Sequence, residues 1–193
     1  MTATINPNNW RRSPWRFVLW AIPTLLLITP AIMMAIRADG WLWTPFDFVF
    51  AAVLLYGATG TAGLAIRKGG SMAYRLGAGL AVLASFLLIW INAAVGVIGG
   101  EDNPANLIFI GIILFAAVGA IFARFQARGM ARAMLTACVL TAGTAVAAPV
   151  LGWGADEPPG TAGLFTLIGG FAAMWGLSAA LFAKAARDRA VQS

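Results

Sequence analysis

Six apolar runs separated by short polar breaks dominate the chain: Phe17 to Ile36, Phe46 to Ile66, Leu76 to Ile98, Leu107 to Ala123, Met134 to Leu151 and Gly163 to Ala183. A bilayer core about 30 Å thick takes about 20 apolar residues of helix. A helix keeps its backbone polar groups paired inside itself, which lipid demands. Each run has about that length, so the pattern predicts an all-α, polytopic bundle of six transmembrane helices. The expected division is an N-terminal tail over 1–16, a six-helix transmembrane domain over 17–185 and a C-terminal tail over 186–193. The first run is too long for the core of a signal peptide, about 7 to 15 residues, and lacks a small-x-small cleavage site at its far end, so it reads as a retained helix.

Charge gives these runs a direction. If the helices alternate, every basic residue except Arg37 falls on one side: Arg11, Arg12 and Arg16, then Arg67, Lys68 and Arg75, then Arg124, Arg128 and Arg132, then Lys184, Arg187 and Arg189. The positive-inside rule makes that side cytoplasmic and places both termini there. The opposite side gathers Asp39, Asp47, Glu101, Asp102, Asp156 and Glu157. Trp10, Trp15 and Tyr74 inside, with Trp41, Trp43 and Trp153 outside, fit interfacial aromatic belts. The net charge of +6 is divided among four short segments beside the membrane, with no aromatic stacking platform. It therefore points to anionic lipid headgroups on the cytoplasmic side and away from nucleic acid.

The breaks themselves repeat. Trp43-Thr44-Pro45-Phe46-Asp47, Asp102-Asn103-Pro104-Ala105-Asn106 and Asp156-Glu157-Pro158-Pro159-Gly160 each enter an even-numbered helix through proline. Proline at a first helical position costs no backbone donor, and Thr44 or Asn103 before it can cap the free amides. Asp47 occupies the reach-back position of a capping box with Thr44. The inner breaks around Met72-Ala73 and Met130-Ala131 also resemble each other. Three tandem helical hairpins in one orientation are the expected plan. Gly57 with Thr61, Gly119 with Ala123, and Ala172 with Gly176 and Ala180 offer small faces for close helix packing within the bundle. Pro23, Pro30 and Pro149 interrupt odd-numbered helices.

Candidate chemistry is sparse. The chain has no histidine, and its single cysteine, Cys138, lies inside the fifth run, so no disulfide, haem or zinc motif is present and no cofactor is expected. No charged residue lies near the middle of a run, where proton-coupled transporters place theirs. Two speculative sites remain. Trp90, Asn92 and Trp175 are polar or amphipathic groups away from the belts that could line a ligand pocket. Glu101 and Asp102, with Asn103 and Asn106, could face Asp156 and Glu157 in an outer carboxylate cluster, oxygen-rich enough for a divalent cation though matching no known loop signature. Capping, packing and solvation explain the same residues, and neither a catalytic nor a metal site is assigned.

The stretch Trp90-Ile91-Asn92-Ala93-Ala94-Val95-Gly96-Val97-Ile98-Gly99-Gly100, running into Glu101-Asp102-Asn103-Pro104-Ala105-Asn106, resembles a motif shared by a family of uncharacterised bacterial inner-membrane proteins. The likeness extends more loosely into Arg128-Gly129-Met130-Ala131-Arg132-Ala133. It implies a multi-pass protein of a bacterial inner membrane and carries no site residues. The first expectation is a non-enzymatic, membrane-embedded accessory or binding protein, with another membrane protein or a second copy of the chain as its partner. The alternative is a small solute or ion facilitator built from three hairpins. A lipid-modifying enzyme using the outer carboxylates comes third.

Overall fold

A computed structural model describes residues 15–68, 70–154 and 160–191. Trp10, Arg11 and Arg12 of the N-terminal segment lie outside the described residues. So do Asp156, Glu157 and the prolines of the third outer break. Among the described residues the structure is all-helical, without strands. The helices are α1 (Trp15–Ala35), α2 (Pro45–Lys68), α3 (Met72–Ala94), α4 (Leu107–Phe122), α5 (Ala127–Val150) and α6 (Gly160–Val191), with a 3-10 turn, Pro104–Asn106, leading into α4. Five stretches are long and apolar enough to cross a membrane: Pro45–Ala65, Met72–Ala94, Pro104–Phe122, Ala127–Val150 and Gly160–Val191. The apolar stretch counted in α1, Trp20–Ala35, is shorter. Helices of this kind make the chain a multi-pass membrane protein.

Two compact units divide the chain, one up to Gly63 and one from Leu64, so the break falls inside α2. In the first unit, the Trp20 ring stacks on Tyr56 with centroids 6.0 Å apart, and the Thr24 and Tyr56 hydroxyls hydrogen-bond at 2.8 Å. The start of α2 carries the expected capping box. The Thr44 amide and hydroxyl donate to the Asp47 carboxylate at 2.7 and 2.8 Å, and the Asp47 amide donates back to the Thr44 hydroxyl at 3.3 Å. These bonds commit Asp47 to closing the helix end.

In the second unit α6 packs against both α5 and α3, and α5 also packs against α4. Of the hairpins expected here, α5 and α6 form a closely packed pair. The consecutive helices α3 and α4 barely meet and find their main partners in α6 and α5. The reason lies in which faces are small. A Cβ on Gly77 of α3 would stand 3.2 Å from Leu181 Cβ and 3.3 Å from the Ser178 carbonyl of α6. The Ser178 hydroxyl donates to the Gly77 carbonyl at 2.8 Å. Between α4 and α5, a Cβ on Gly119 would lie 3.0 Å from Ala133, and Gly129 abuts Ala123. A Cβ on Gly176 of α6 would stand 3.3 Å from Cys138 Sγ of α5. The small residues at 119, 123 and 176 thus serve packing within the bundle. Thr61 instead donates its hydroxyl to the Gly57 carbonyl of its own helix, at 2.8 Å. The space that remains is filled by Leu88, Phe109, Leu164, Ile168, Trp175 and Phe182, all fully buried or nearly so.

Several helix ends differ from the hydropathy pattern, among them α3 at its start, which is Met72 and not Leu76. Helix α3 stops at Ala94, short of Ile98, because Gly96 takes φ +73° and turns the chain. Helix α5 begins at Ala127, before the apolar run does, and α6 continues through Lys184 and Arg187 to Val191. At about 1.5 Å per residue, the 32 residues of α6 reach about 48 Å, longer than a hydrocarbon core of about 30 Å.

Candidate functional site

The end of the second unit where α3 stops and α4 starts, called outer from the charge distribution, is organised by Asn106. After Val95 caps α3 through its amide to Ile91, the chain folds back and buries Val97 and Ile98 completely. Turning apolar side chains inward carries their amides in too, and buried amides need acceptors. Asn106 supplies one. Its Oδ1 accepts from the amides of Val97 (3.0 Å) and Ile98 (2.8 Å), while its Nδ2 donates to the carbonyls of Gly100 (2.9 Å) and Ile98 (3.4 Å). The backbone carbonyl of Asn106 accepts from Asn92 Nδ2 at 2.9 Å. From the far side of the unit, Gly154 comes so close that a Cβ there would stand 2.7 Å from the Gly99 nitrogen, and Trp153 packs on the core beside it.

These bonds reassign part of the outer constellation. Asn103 Oδ1 accepts from the Ala105 amide at 3.0 Å, so the side-chain oxygens of Asn103 and Asn106 both serve the backbone. Glu101 and Asp102 are exposed, and Asp156 and Glu157 lie outside the described residues. Among the described residues no three His, Cys, Asp or Glu side chains come together as a metal-binding group. A shallow cleft beside this turn is lined by Asn103, Pro104, Ala105, Ile108 and Trp153.

Trp90 and Trp175 do not share a pocket. The Ser178–Gly77 hydrogen bond registers α6 on antiparallel α3, and a rise of about 1.5 Å per residue then puts Trp90 about 20 Å outward of that bond and Trp175 only about 5 Å. Trp90 is half-buried and stacks on Phe86 with centroids 5.8 Å apart. Trp175 is 1% exposed, and its Nε1 has no protein partner, nor has the Oγ1 of fully buried Thr141. Asn92 joins the Asn106 turn through its nitrogen, while its buried Oδ1 is unpaired.

The inner end carries a feature that charge and hydropathy assign only to membrane orientation. Between α4 and α5, Arg124 (φ 49°) and Phe125 (φ 58°) both take the left-handed conformation, which costs a non-glycine residue about 1–2 kcal/mol. Tertiary contacts hold the turn. The Tyr74 hydroxyl of α3 donates to the Phe125 carbonyl at 2.7 Å, and Ala123 lies against Gly129. The tight turn sets the first residues of α5 beside the last residues of α6. A groove results, floored by Ala131, Ala183, Ala186 and Ala190 and rimmed by the exposed Arg128, Arg132 and Arg187. Among the described residues no carboxylate pairs with these three, and Asp188 stands beside Lys184 at 4.0 Å. The signal in the sequence was Arg128 and Arg132 four apart, on one face of a helix that starts earlier than the hydropathy indicates. Comparison with protein-family models, with curated proteins and with solved structures finds no match to this chain.

Proposed function

We propose that the chain is a six-span protein of a bacterial inner membrane, with α1 as the first span and both ends of the chain cytoplasmic. Its role in this reading is that of a non-enzymatic, membrane-embedded accessory or binding protein. The sidedness rests on the positive-inside distribution, and the bacterial assignment on the resemblance carried by Trp90 to Asn106.

The observation that supports the role best is the filling of the α3–α6 unit. From Phe182 through Trp175 and Ile168 to Leu164 and Ile98, its centre is occupied by side chains no more than 1% exposed. Of the hydroxyls along the same helices, Ser85 returns to the Ala81 carbonyl, Thr144 to Leu140 and Ser178 to Gly77, and Thr141 stands apart from them without a protein partner. A facilitator requires a continuous polar path, and what this unit offers is separate polar atoms at different depths. An outer-leaflet enzyme requires convergent carboxylates. Here Glu101 and Asp102 stand exposed on a turn whose polar core is given to Asn106.

Reconstitution into proteoliposomes tests the choice between accessory protein and facilitator. The accessory reading predicts that sodium, potassium, glycerol and urea leak no faster than from protein-free vesicles. A flux that scales with protein density and falls when Thr141 is changed to Leu would overturn it in favour of the facilitator.

A further inference from the structure

We propose that the groove between the start of α5 and the end of α6 binds one anionic phospholipid, with its phosphate on Arg128, Arg132 and Arg187 and an acyl chain running outward along the two helices. The inference deepens the binding-protein reading and rests on it for the leaflet, since that topology puts the groove at the cytoplasmic headgroup level.

Three features carry it. The first is charge. Three arginines line one groove, none of them in an ion pair with a carboxylate among the described residues, and Arg128 and Arg132 stand four apart on one helix face, where like charges repel. Arg128 also sits in the first turn of α5, where the helix dipole disfavours a cation. An anion held between the three relieves both penalties, and the planar fork of arginine matches phosphate oxygens.

The second feature is the floor. Four alanines, with Val191 at the end of α6, present no polar side-chain atom, so the space between the arginines suits an apolar stem beneath a charged head. The third is an apolar strip that leads outward from the groove. Leu135 and Val139 continue the face of Arg128 and Arg132 at helical spacing on α5, and Ala183 and Ala180 continue that of Arg187 on α6. Leu135 and Val139 are well exposed, at 55% and 61%, and Ala180 is exposed. A cationic rim leading into an apolar strip has the polarity order of a phospholipid, which a free phosphate would use only in part. Basic pockets between helices on the cytoplasmic side are suited to anionic headgroups on the same grounds.

The test uses the full chain, purified in a neutral detergent and stripped of lipid, with binding followed by native mass spectrometry and by the shift in melting temperature. Dioleoylphosphatidylglycerol is expected to bind one per chain and raise the melting temperature, whereas dioleoylphosphatidylcholine and sodium phosphate at equal concentration leave it in place. Changing Arg128 or Arg187 to Gln should weaken binding about fivefold each, and Arg124→Gln, outside the groove, should leave it unchanged. Equal binding of the two lipids, or full binding by the Arg128→Gln, Arg187→Gln double variant, overturns the proposal. So does a shift reproduced by phosphate alone, which would make the groove a simple anion site. Should the double variant fail to fold, Ala183→Phe fills the floor with every charge retained. It must also abolish binding, and retained binding contradicts the site. Detergent micelles have no inside or outside, so a wrong topology leaves these results untouched and appears only in sidedness measurements.

Discussion

Asn106 carries more of the outer end than any other single side chain. Four hydrogen bonds converge on its side-chain amide, Asn92 donates to its backbone carbonyl, and it is only 5% exposed. Leaving two amides and two carbonyls without their side-chain partner in a dry turn is the costly kind of deletion. Asn106→Ala should therefore lower stability by about 3 kcal/mol. Asn103→Ala, which loses one bond at a half-exposed cap, should cost about 1 kcal/mol. Thermal unfolding in detergent, with both variants side by side, checks the order, and equal losses would mean that Asn106 does not organise the turn. In the sequence, Asn106 reads as one more oxygen near Glu101 and Asp102. Only the fold reveals that its oxygen faces the Val97 and Ile98 amides. Residue type states that an asparagine needs partners and leaves open which ones, and the same holds for Asn92.

At the scale of elements, the number and approximate placement of the helices were legible because bilayer thickness dictates the length of an apolar run. Their ends and neighbours were less so. Val97 and Ile98 are as apolar as any spanning residue, and hydropathy has no means of separating a helix that continues from a turn that packs inward. Arg128 and Arg187 hide the opposite case, in which α5 and α6 extend beyond the apolar run into charged sequence. Pairing between helices depends on small faces that many positions could supply in an alanine-rich chain. Gly77 is where that choice is tightest for α3. Gly77→Val should push α3 off α6 and destabilise the protein by about 1–3 kcal/mol. Gly79→Val on the same helix, with nothing within 4 Å of its Cβ position, should change stability little. Melting temperatures of the two variants check this contrast, and similar values would put the α3–α6 contact in doubt.

Over the molecule as a whole, the second unit has two differently built ends around a filled middle. The outer end is closed by backbone folded onto Asn106 with Gly154 and Trp153 pressed against it, and the inner end is open as a basic, alanine-floored groove. A sealed centre between a closed cap and a cationic mouth suits a protein that holds something at one membrane face better than one that passes something through. The proposed role requires a dry middle and a groove that faces the cytoplasm. The most direct measurement is thiol labelling in intact cells and in permeabilised membranes. Single cysteines are introduced by Glu101→Cys, Gln126→Cys and Thr141→Cys in a Cys138→Ala background and probed with a membrane-impermeant maleimide. The cysteine at 101 is expected to react in intact cells, that at 126 only after permeabilisation, and that at 141 in neither. Labelling at 141 without denaturation, or exchanged sidedness at 101 and 126, would contradict the proposed role.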